Sequence, residues 1–341
     1  MTPVQVLTSN REPRSTTNPY ITMLTAALRR TPALEVVTFS YPAALFGRYS
    51  VVHLHWPETL VGLGGRRLVG RLARLTLAAL FLVRLTLART TVVRTVHNVE
   101  PPADADRIQR ALLRWFDRLT THRIVLNDRT DCPGPTTTIP HGHYRDWYTG
   151  PRSATVHGRL QYVGLVRRYK GVEGLVEAFR SVADGSLTLG IAGAASTPEL
   201  ADTITALADG DARVTLRFEF LSDNELVAAV TAAELVVLPY RFMHNSGTVL
   251  AALSLDRPVL VPDTSVNADL AKEVGPGWIH TFTGDLTAEA LEAALPAVRA
   301  PRAPSPDLGA REWDAAGQAH LDVYRAALSR GPSRPGAGAR A

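Results

Sequence analysis

The chain has 341 residues, 45% hydrophobic and 20% charged, enough to bury a large core and to divide into two domains. Its single cysteine, Cys132, excludes an intrachain disulfide framework and a cysteine-built zinc site, and a reducing compartment fits best. A net charge of +5 and a pI near 9.6 come from arginines spread over both halves, which favours anionic small ligands or lipid head groups over nucleic acid.

The N-terminus passes directly into an alternating apolar stretch, Val4 to Thr8, without the basic-then-apolar layout of a secretory signal, so a cytoplasmic location is expected. The loop Ser9 to Tyr20 then leads into a helix started by Asn18, Pro19 and Tyr20. It lacks the Gly-x-Gly-x-x-Gly fingerprint of a dinucleotide oxidoreductase. Asn10 and Tyr20, at its two ends, are assigned to an acceptor, and Arg11 and Arg14 are polar companions.

Further apolar runs at Leu34 to Phe39, Val51 to His55, Thr91 to Val96 and Arg123 to Leu126 alternate with helical segments, which predicts a parallel sheet. After the third run come Trp56, able to stack on an acceptor sugar, and Glu58, able to take its hydroxyl proton. His53 and His55 share one strand face, with core packing favoured over a zinc pair because no third ligand is apparent.

Arg66 to Thr90 reads as a basic amphipathic helix. At about 100° per residue, Leu68, Leu72, Leu75, Ala79, Leu82 and Val83 form its apolar face and Arg67, Arg71 and Arg74 a second one. Its unbroken apolar run, Leu77 to Val83, is far short of the roughly 20 residues that cross a bilayer. Two readings remain open: a helix packed on the sheet, or one lying peripherally on an anionic membrane surface. His97 and Asn98 end the next strand and are expected in a cleft. Asp104 and Asp106 form an Asp-x-Asp pair, but they open a helix, so a favourable helix dipole is preferred to a metal site.

A Pro/Gly-marked stretch from Ile139 to Arg152 separates this half from a second set of runs. These are Leu160 to Val166, Leu187 to Ala192, Val214 to Phe218, Leu235 to Pro239 and Pro258 to Val261. The expected division is 1–150 and 151–310, each a doubly wound α/β domain, followed by a helix over 311–330 and a disordered tail over 331–341.

The loop after the first strand of the second half carries Arg167, Arg168 and Lys170. Loops beyond strand carboxyl ends line the ligand crevice of such a sheet, so these cations suit a diphosphate. Farther on, Asn245, Ser246, Gly247 and Thr248 precede a helix whose free amides can hold phosphate without a metal. Ordinary capping by Asn245 or Ser246 explains the same residues.

With these segments in view, the second half resembles the donor domain of GT-B glycosyltransferases, especially the large family four group. VRRYKG resembles the family's Arg…Lys-Gly loop, FLSDNELVAAVTAAELVVLPY its approach to the donor-site strand, and LSLDRPVLVPD its following turn. The resemblance implies two Rossmann-like domains facing a central cleft, with Arg167 and Lys170 on the donor diphosphate together with Ser246, Gly247 and Thr248. It also implies His97 near the donor sugar; Asn245, Gly193 and Tyr240 are expected at the donor sugar or nucleotide, and Trp56, Asn10 and Tyr20 at the acceptor. Many members carry two glutamates where Met243 and Ala251 stand here. The NSGTVLAALS form resembles a branch that includes mannosyltransferases acting on lipid-linked oligosaccharides.

The implied activity is transfer of a hexose from GDP-mannose or a UDP-sugar to a glycan, lipid-linked or small-molecule acceptor, with no cofactor or metal. Glu58 and His97 are the base candidates if configuration inverts. Rival readings are a GT-B nucleotide-sugar epimerase and a non-catalytic sugar-nucleotide or lipid-binding subunit.

Overall fold

The computed structural model describes residues 2–14, 17–62, 68–97, 105–241 and 245–331. Arg66, Arg67, Asn98, Asp104, Met243 and the tail from 332 onward lie outside the described residues.

Two compact units divide the chain after Gly142, inside the Pro/Gly-marked stretch, and the segment from Arg311 onward returns to the first unit. In chain order the first unit holds β1 (Val4–Thr8), α1 (Pro19–Arg30), β2 (Leu34–Val37), α2 (Tyr41–Phe46), β3 (Val51–Leu54), α3 (Pro57–Leu60) and α4 (Leu68–Leu87). It continues with β4 (Thr91–Val96), α5 (Arg107–Leu119), β5 (Thr120–Val125) and β6 (Thr136–Thr138). The second unit holds β7 (Arg159–Val163), α6 (Val172–Arg180), β8 (Thr188–Ala192), α7 (Pro198–Ala208), β9 (Val214–Arg217) and α8 (Asp223–Ala232). Beyond these come β10 (Leu235–Val237), α9 (Gly247–Ser254), β11 (Val259–Pro262), α10 (Ser265–Val274), β12 (Ile279–Phe282) and α11 (Ala288–Arg299). The last helix, α12 (Trp313–Arg330), packs on α1, β1, β4 and β5 of the first unit.

Each unit is a parallel sheet, ordered β2-β1-β3-β4-β5-β6 in the first and β12-β11-β10-β7-β8-β9 in the second. In both, the order reverses beside the unit's first strand, which is where a doubly wound sheet opens its ligand crevice. The short β6 and β12 were not among the predicted runs. Thr136–Thr138 is too brief and polar to show periodicity, and Ile279–Phe282 has exposed or half-buried residues at all but its last position.

Helix starts follow local chemistry. Asn18 caps α1 through its side chain. Asp106 caps α5 in a capping box with Gln109, in line with its reading as a helix start, and is also ion-paired to Arg71.

The structure corrects the reading of α4. Its buried face is Leu75, Ala78, Phe81, Leu82 and Leu85, packed where Phe81 meets Phe39 at 5.9 Å and Phe116 at 6.2 Å between ring centroids. Leu72 and Val83, assigned to the apolar face, are exposed. Apolar side chains occur on every side of this helix, so periodicity alone cannot choose the side that meets the sheet. No helix among the described residues is long and apolar enough to cross a membrane.

Candidate active site

In the second unit the site is built where β7, β8 and β10 end. Gly164 follows β7 with φ +113°, a region open to glycine, and a Cβ placed there would lie 3.6 Å from Thr248 Oγ1 and 3.7 Å from Lys170 Nζ. The cationic loop and the start of α9 therefore converge on one point. Between them the backbone makes a 3₁₀ turn over Arg168–Lys170, which Gly171 ends in a left-handed conformation. A Cβ on Gly171 would strike the Pro239 carbonyl at 2.3 Å, and Arg241 N–H donates to Tyr169 O at 3.1 Å. Those contacts clamp the loop against the end of β10.

Lys170 Nζ lies 5.0 Å from the centroid of the buried Tyr240 ring, whose hydroxyl bonds Thr248 Oγ1 at 3.3 Å. Burial lowers the Lys170 pKa from its usual value, and Arg167 adds repulsion. Among the described residues neither Lys170 nor Arg167 has a carboxylate partner. A partly desolvated ammonium with no carboxylate partner among the described residues, next to the amides of a helix start, has the chemistry to receive an anion.

The remaining donor-side residues divide by role. Arg167 is exposed at the start of the 3₁₀ turn. Ser246 caps α9 through Val249 N–H at 3.4 Å, so its hydroxyl does the ordinary capping job, while Gly247 opens the helix and its amide belongs to the free first turn. Gly193, φ +144°, sits directly against Gly164, since a Cβ on it would meet the Gly164 carbonyl at 2.1 Å. Asn245 is half-buried ahead of the helix, and Ala251 is buried within it. Gly164 itself was missed as a site residue; its signal was a glycine immediately after an apolar run, where the backbone takes a positive φ that favours glycine.

In the first unit, alternation along β3 turns Val52 and Leu54 into one core and His53 and His55 to the other face. His53 is held at both ring nitrogens, by Tyr324 Oη at 2.7 Å and Thr95 Oγ1 at 2.8 Å. His55 Nδ1 lies 3.2 Å from His97 Nε2. Trp56 stacks on His97 with centroids 4.0 Å apart and planes 19° apart. Tyr20 stands edge-on to His97 at 5.3 Å and lies 4.4 Å from His141 and 5.8 Å from Trp313. His320 of α12 completes the cluster, 5.5 Å from His53.

All of these imidazoles favour the neutral form. Burial above all, with the Arg94 cation adding repulsion, holds His97 well below its usual pKa. Burial, then His320, brings His55 down to about 3, and burial brings His141 and His320 to about 4.

Three expectations are adjusted here. Tyr20 is buried rather than laid open for an acceptor, because its ring closes the histidine cluster. Trp56 gives one of its faces to His97. Glu58 is not brought to His97: its carboxylate faces Arg94 at 3.8 Å in a separate cavity of about 410 Å³ that also includes Arg110, Asp117, Arg123 and Cys132. Asn10 follows β1, where its carbonyl accepts from Phe39 N–H at 2.8 Å. His141 and Tyr324 were missed, since only the tertiary fold brings positions so far apart in sequence to His53 and His97. Among the described residues no group of three or more His, Cys, Asp or Glu is arranged to hold a metal ion.

Residues 157–298 match the family model described as glycosyl transferases group 1. Over 330 residues the chain is 46% identical to the GDP-mannose:glycolipid 4-beta-D-mannosyltransferase of Xanthomonas campestris pv. campestris, covering 96% of this chain and 93% of that one. The chain belongs to the group 1 glycosyltransferases. This glycosyltransferase is thus an enzyme that uses a nucleotide-sugar donor, and membership decides against the epimerase and the non-catalytic subunit.

Its fold is of the GT-B type. A glycosyltransferase involved in avilamycin A biosynthesis superposes with a TM-score of 0.61 at 16% identity, over 97% of this chain and all of that one (100%). Sucrose-phosphate synthase from Thermosynechococcus elongatus superposes with a TM-score of 0.61 at 15% identity, over 96% and 100%. In this glycosyltransferase the point where Lys170 and Thr248 meet lies at the switch between β7 and β10.

Proposed function

We propose that this glycosyltransferase moves mannose from GDP-mannose to the sugar of a glycolipid, inverting the anomeric centre, at the surface of an anionic membrane. The observation that carries the donor half is the convergence of Lys170 Nζ and Thr248 Oγ1 over Gly164. Lys170, Arg167 and the amides of Gly247 and Thr248 hold the donor diphosphate and offset the charge that grows on it as the sugar leaves. Asn245, Gly193 and Tyr240 border the same point and contact the donor. In this assignment the second unit is the donor domain and the first the acceptor domain.

The choice of sugar and acceptor is supported by the relative named a GDP-mannose:glycolipid 4-beta-D-mannosyltransferase. Nucleotide-mannose donors carry the α-anomer, so a β-linked product requires inversion and a base for the acceptor hydroxyl. His97 is that base: it is neutral and half-buried. Trp56, stacked on it, turns its outer face to the acceptor sugar, and the loop from Asn10 borders the same region.

A lipid-linked acceptor calls for a bilayer contact, and the first unit has two ridges suited to one. On α4, Leu72, Leu80, Val83 and Leu87 lie within one face and are exposed, Leu87 by 79%, and Phe46 at the end of α2 is exposed by 84%. On α5, Arg107, Arg110, Arg114 and Arg118 recur at three- and four-residue spacing on one exposed face, with no carboxylate partner among the described residues. The helices run side by side in the same direction, with Arg71 on Asp106 near their starts and Phe81 on Phe116 farther along. Apolar side chains beside a row of arginines suit acyl chains and anionic head groups together.

The test supplies purified enzyme with radiolabelled GDP-mannose or UDP-glucose and a glycolipid fraction, then follows label into the lipid phase and the anomeric configuration by NMR. Label from GDP-mannose in a β-linkage is expected. Transfer from UDP-glucose alone, or an α-linked product, would overturn the reading.

A further inference from the structure

The imidazole pair in the first unit leads to an assignment that rests on His97 being the base. Its Nε2 lies 3.2 Å from His55 Nδ1, and Trp56 stacked on one face and Tyr20 at the edge fix the ring's plane. His97 Nδ1 has no hydrogen-bond partner among the described residues. Two neutral imidazoles can share that contact in two ways. If His97 Nε2–H donates to His55, the Nδ1 lone pair of His97 is free to accept a proton. If His55 Nδ1–H donates instead, His97 carries its proton on Nδ1 and cannot act as a base there.

We propose that His55 is a positioning residue that holds His97 in the first arrangement and steadies the imidazolium formed in the reaction. In the step itself the acceptor O–H bond breaks and its proton moves to His97 Nδ1. The acceptor oxygen bonds to sugar C1 while the C1–O bond to the diphosphate breaks, its electron pair leaving with the nucleotide diphosphate. His97 becomes a cation whose Nε2–H still points at a neutral acceptor, the arrangement that strengthens such a bond.

His55 suits this role because nothing around it favours its own protonation. It is fully enclosed, with His53 4.2 Å away between ring centroids, burial is the main cause that holds it neutral, and its Nε2 has no hydrogen-bond partner among the described residues. The groups packed on or acting on His97 are His55 just after β3, Trp56 stacked on its face, Tyr20 from α1, Arg94 of β4 and His141. None of them is a carboxylate that could replace His55 as acceptor.

The test compares His55→Leu, which removes the acceptor, with His55→Asn, whose side-chain amide can restore one near Nδ1, and with His97→Ala. At saturating donor and acceptor, His55→Leu is expected to lower kcat by at least about tenfold with the donor KM unchanged, and to move the acid limb of the pH–rate profile downward. His55→Asn should recover most of both. Wild-type kcat and pH profile in His55→Leu, or an Asn variant as damaged as the Leu one, would overturn the assignment. Wild-type kcat in His97→Ala would instead remove the base reading beneath it. Should His55→Leu fail to fold, ¹⁵N shifts of histidine in the wild-type enzyme decide: a bare Nδ1 on His97 is expected, and a protonated Nδ1 overturns it.

Discussion

The Lys170 ammonium is held 5.0 Å from the centroid of the Tyr240 ring, and the Tyr240 hydroxyl in turn bonds Thr248 at the start of α9. One aromatic side chain thus couples the loop after β7 to the helix after β10. The cation is aimed by packing rather than by a carboxylate, so its charge stays available for a ligand.

Replacing Lys170 by Ala should therefore reduce transfer while leaving the fold intact. Loss of one preorganised charge at a leaving group costs on the order of 10²–10³ in kcat. Arg167→Ala, exposed at the rim, should act in the same direction with a smaller loss. Steady-state transfer rates beside melting curves check both, and near-wild-type turnover in the Lys170 variant would contradict the diphosphate assignment.

Gly164→Ala tests the same point without altering charge. The added methyl would sit 3.6 Å from Thr248 Oγ1 and 3.7 Å from Lys170 Nζ, on a residue whose φ of +113° disfavours any side chain. Weakened binding of nucleoside diphosphate is expected, read by calorimetric titration, together with a lower melting temperature. Unchanged affinity would mean that the diphosphate lies elsewhere.

For the membrane ridges, Leu80→Asp with Leu87→Asp should abolish flotation with vesicles containing phosphatidylglycerol. Arg110→Glu with Arg114→Glu should weaken it and flatten its salt dependence. Transfer to a short-chain, water-soluble acceptor should survive in both pairs, because neither touches the proposed donor or base residues. Flotation unaffected by all four changes would rule out this face.

The buried neutral histidines make stability fall in acid. His141 and His320 titrate at about 4 in the fold but near 6.5 when unfolded. The unfolded chain therefore binds more protons between those values, and stability falls as pH drops through that window. Each such histidine contributes up to about 1.4 kcal/mol per pH unit there. Melting temperatures from pH 7.5 to 4.5 should decline, and His320→Gln, which removes one titrating group, should show a shallower slope. An unchanged slope would contradict a neutral, buried His320.

How much of this was legible in the sequence follows from which interactions are local. Apolar runs alternating with helical segments were enough to recognise two parallel sheets, because strands buried on both faces read as near-continuous apolar stretches. Arg167, Lys170 and Thr248 were recognisable because they sit immediately beyond such runs, where doubly wound sheets place ligands. Asn18 and Asp106 were legible as helix starts, since a cap contacts only its own first turn.

Other features depended on partners distant in the chain. The return of α12 to the first unit, the face that α4 buries, the commitment of Glu58 to Arg94 and the gathering of His53, His55, His97, His141 and His320 belong to this group. The sequence by itself determined the fold type and pointed to the loops proposed to hold a diphosphate, because strand runs and helix starts are set by short-range patterns. Only the tertiary structure decided which histidines meet one another and which helix faces meet solvent, because such choices are made by side chains that meet across the fold.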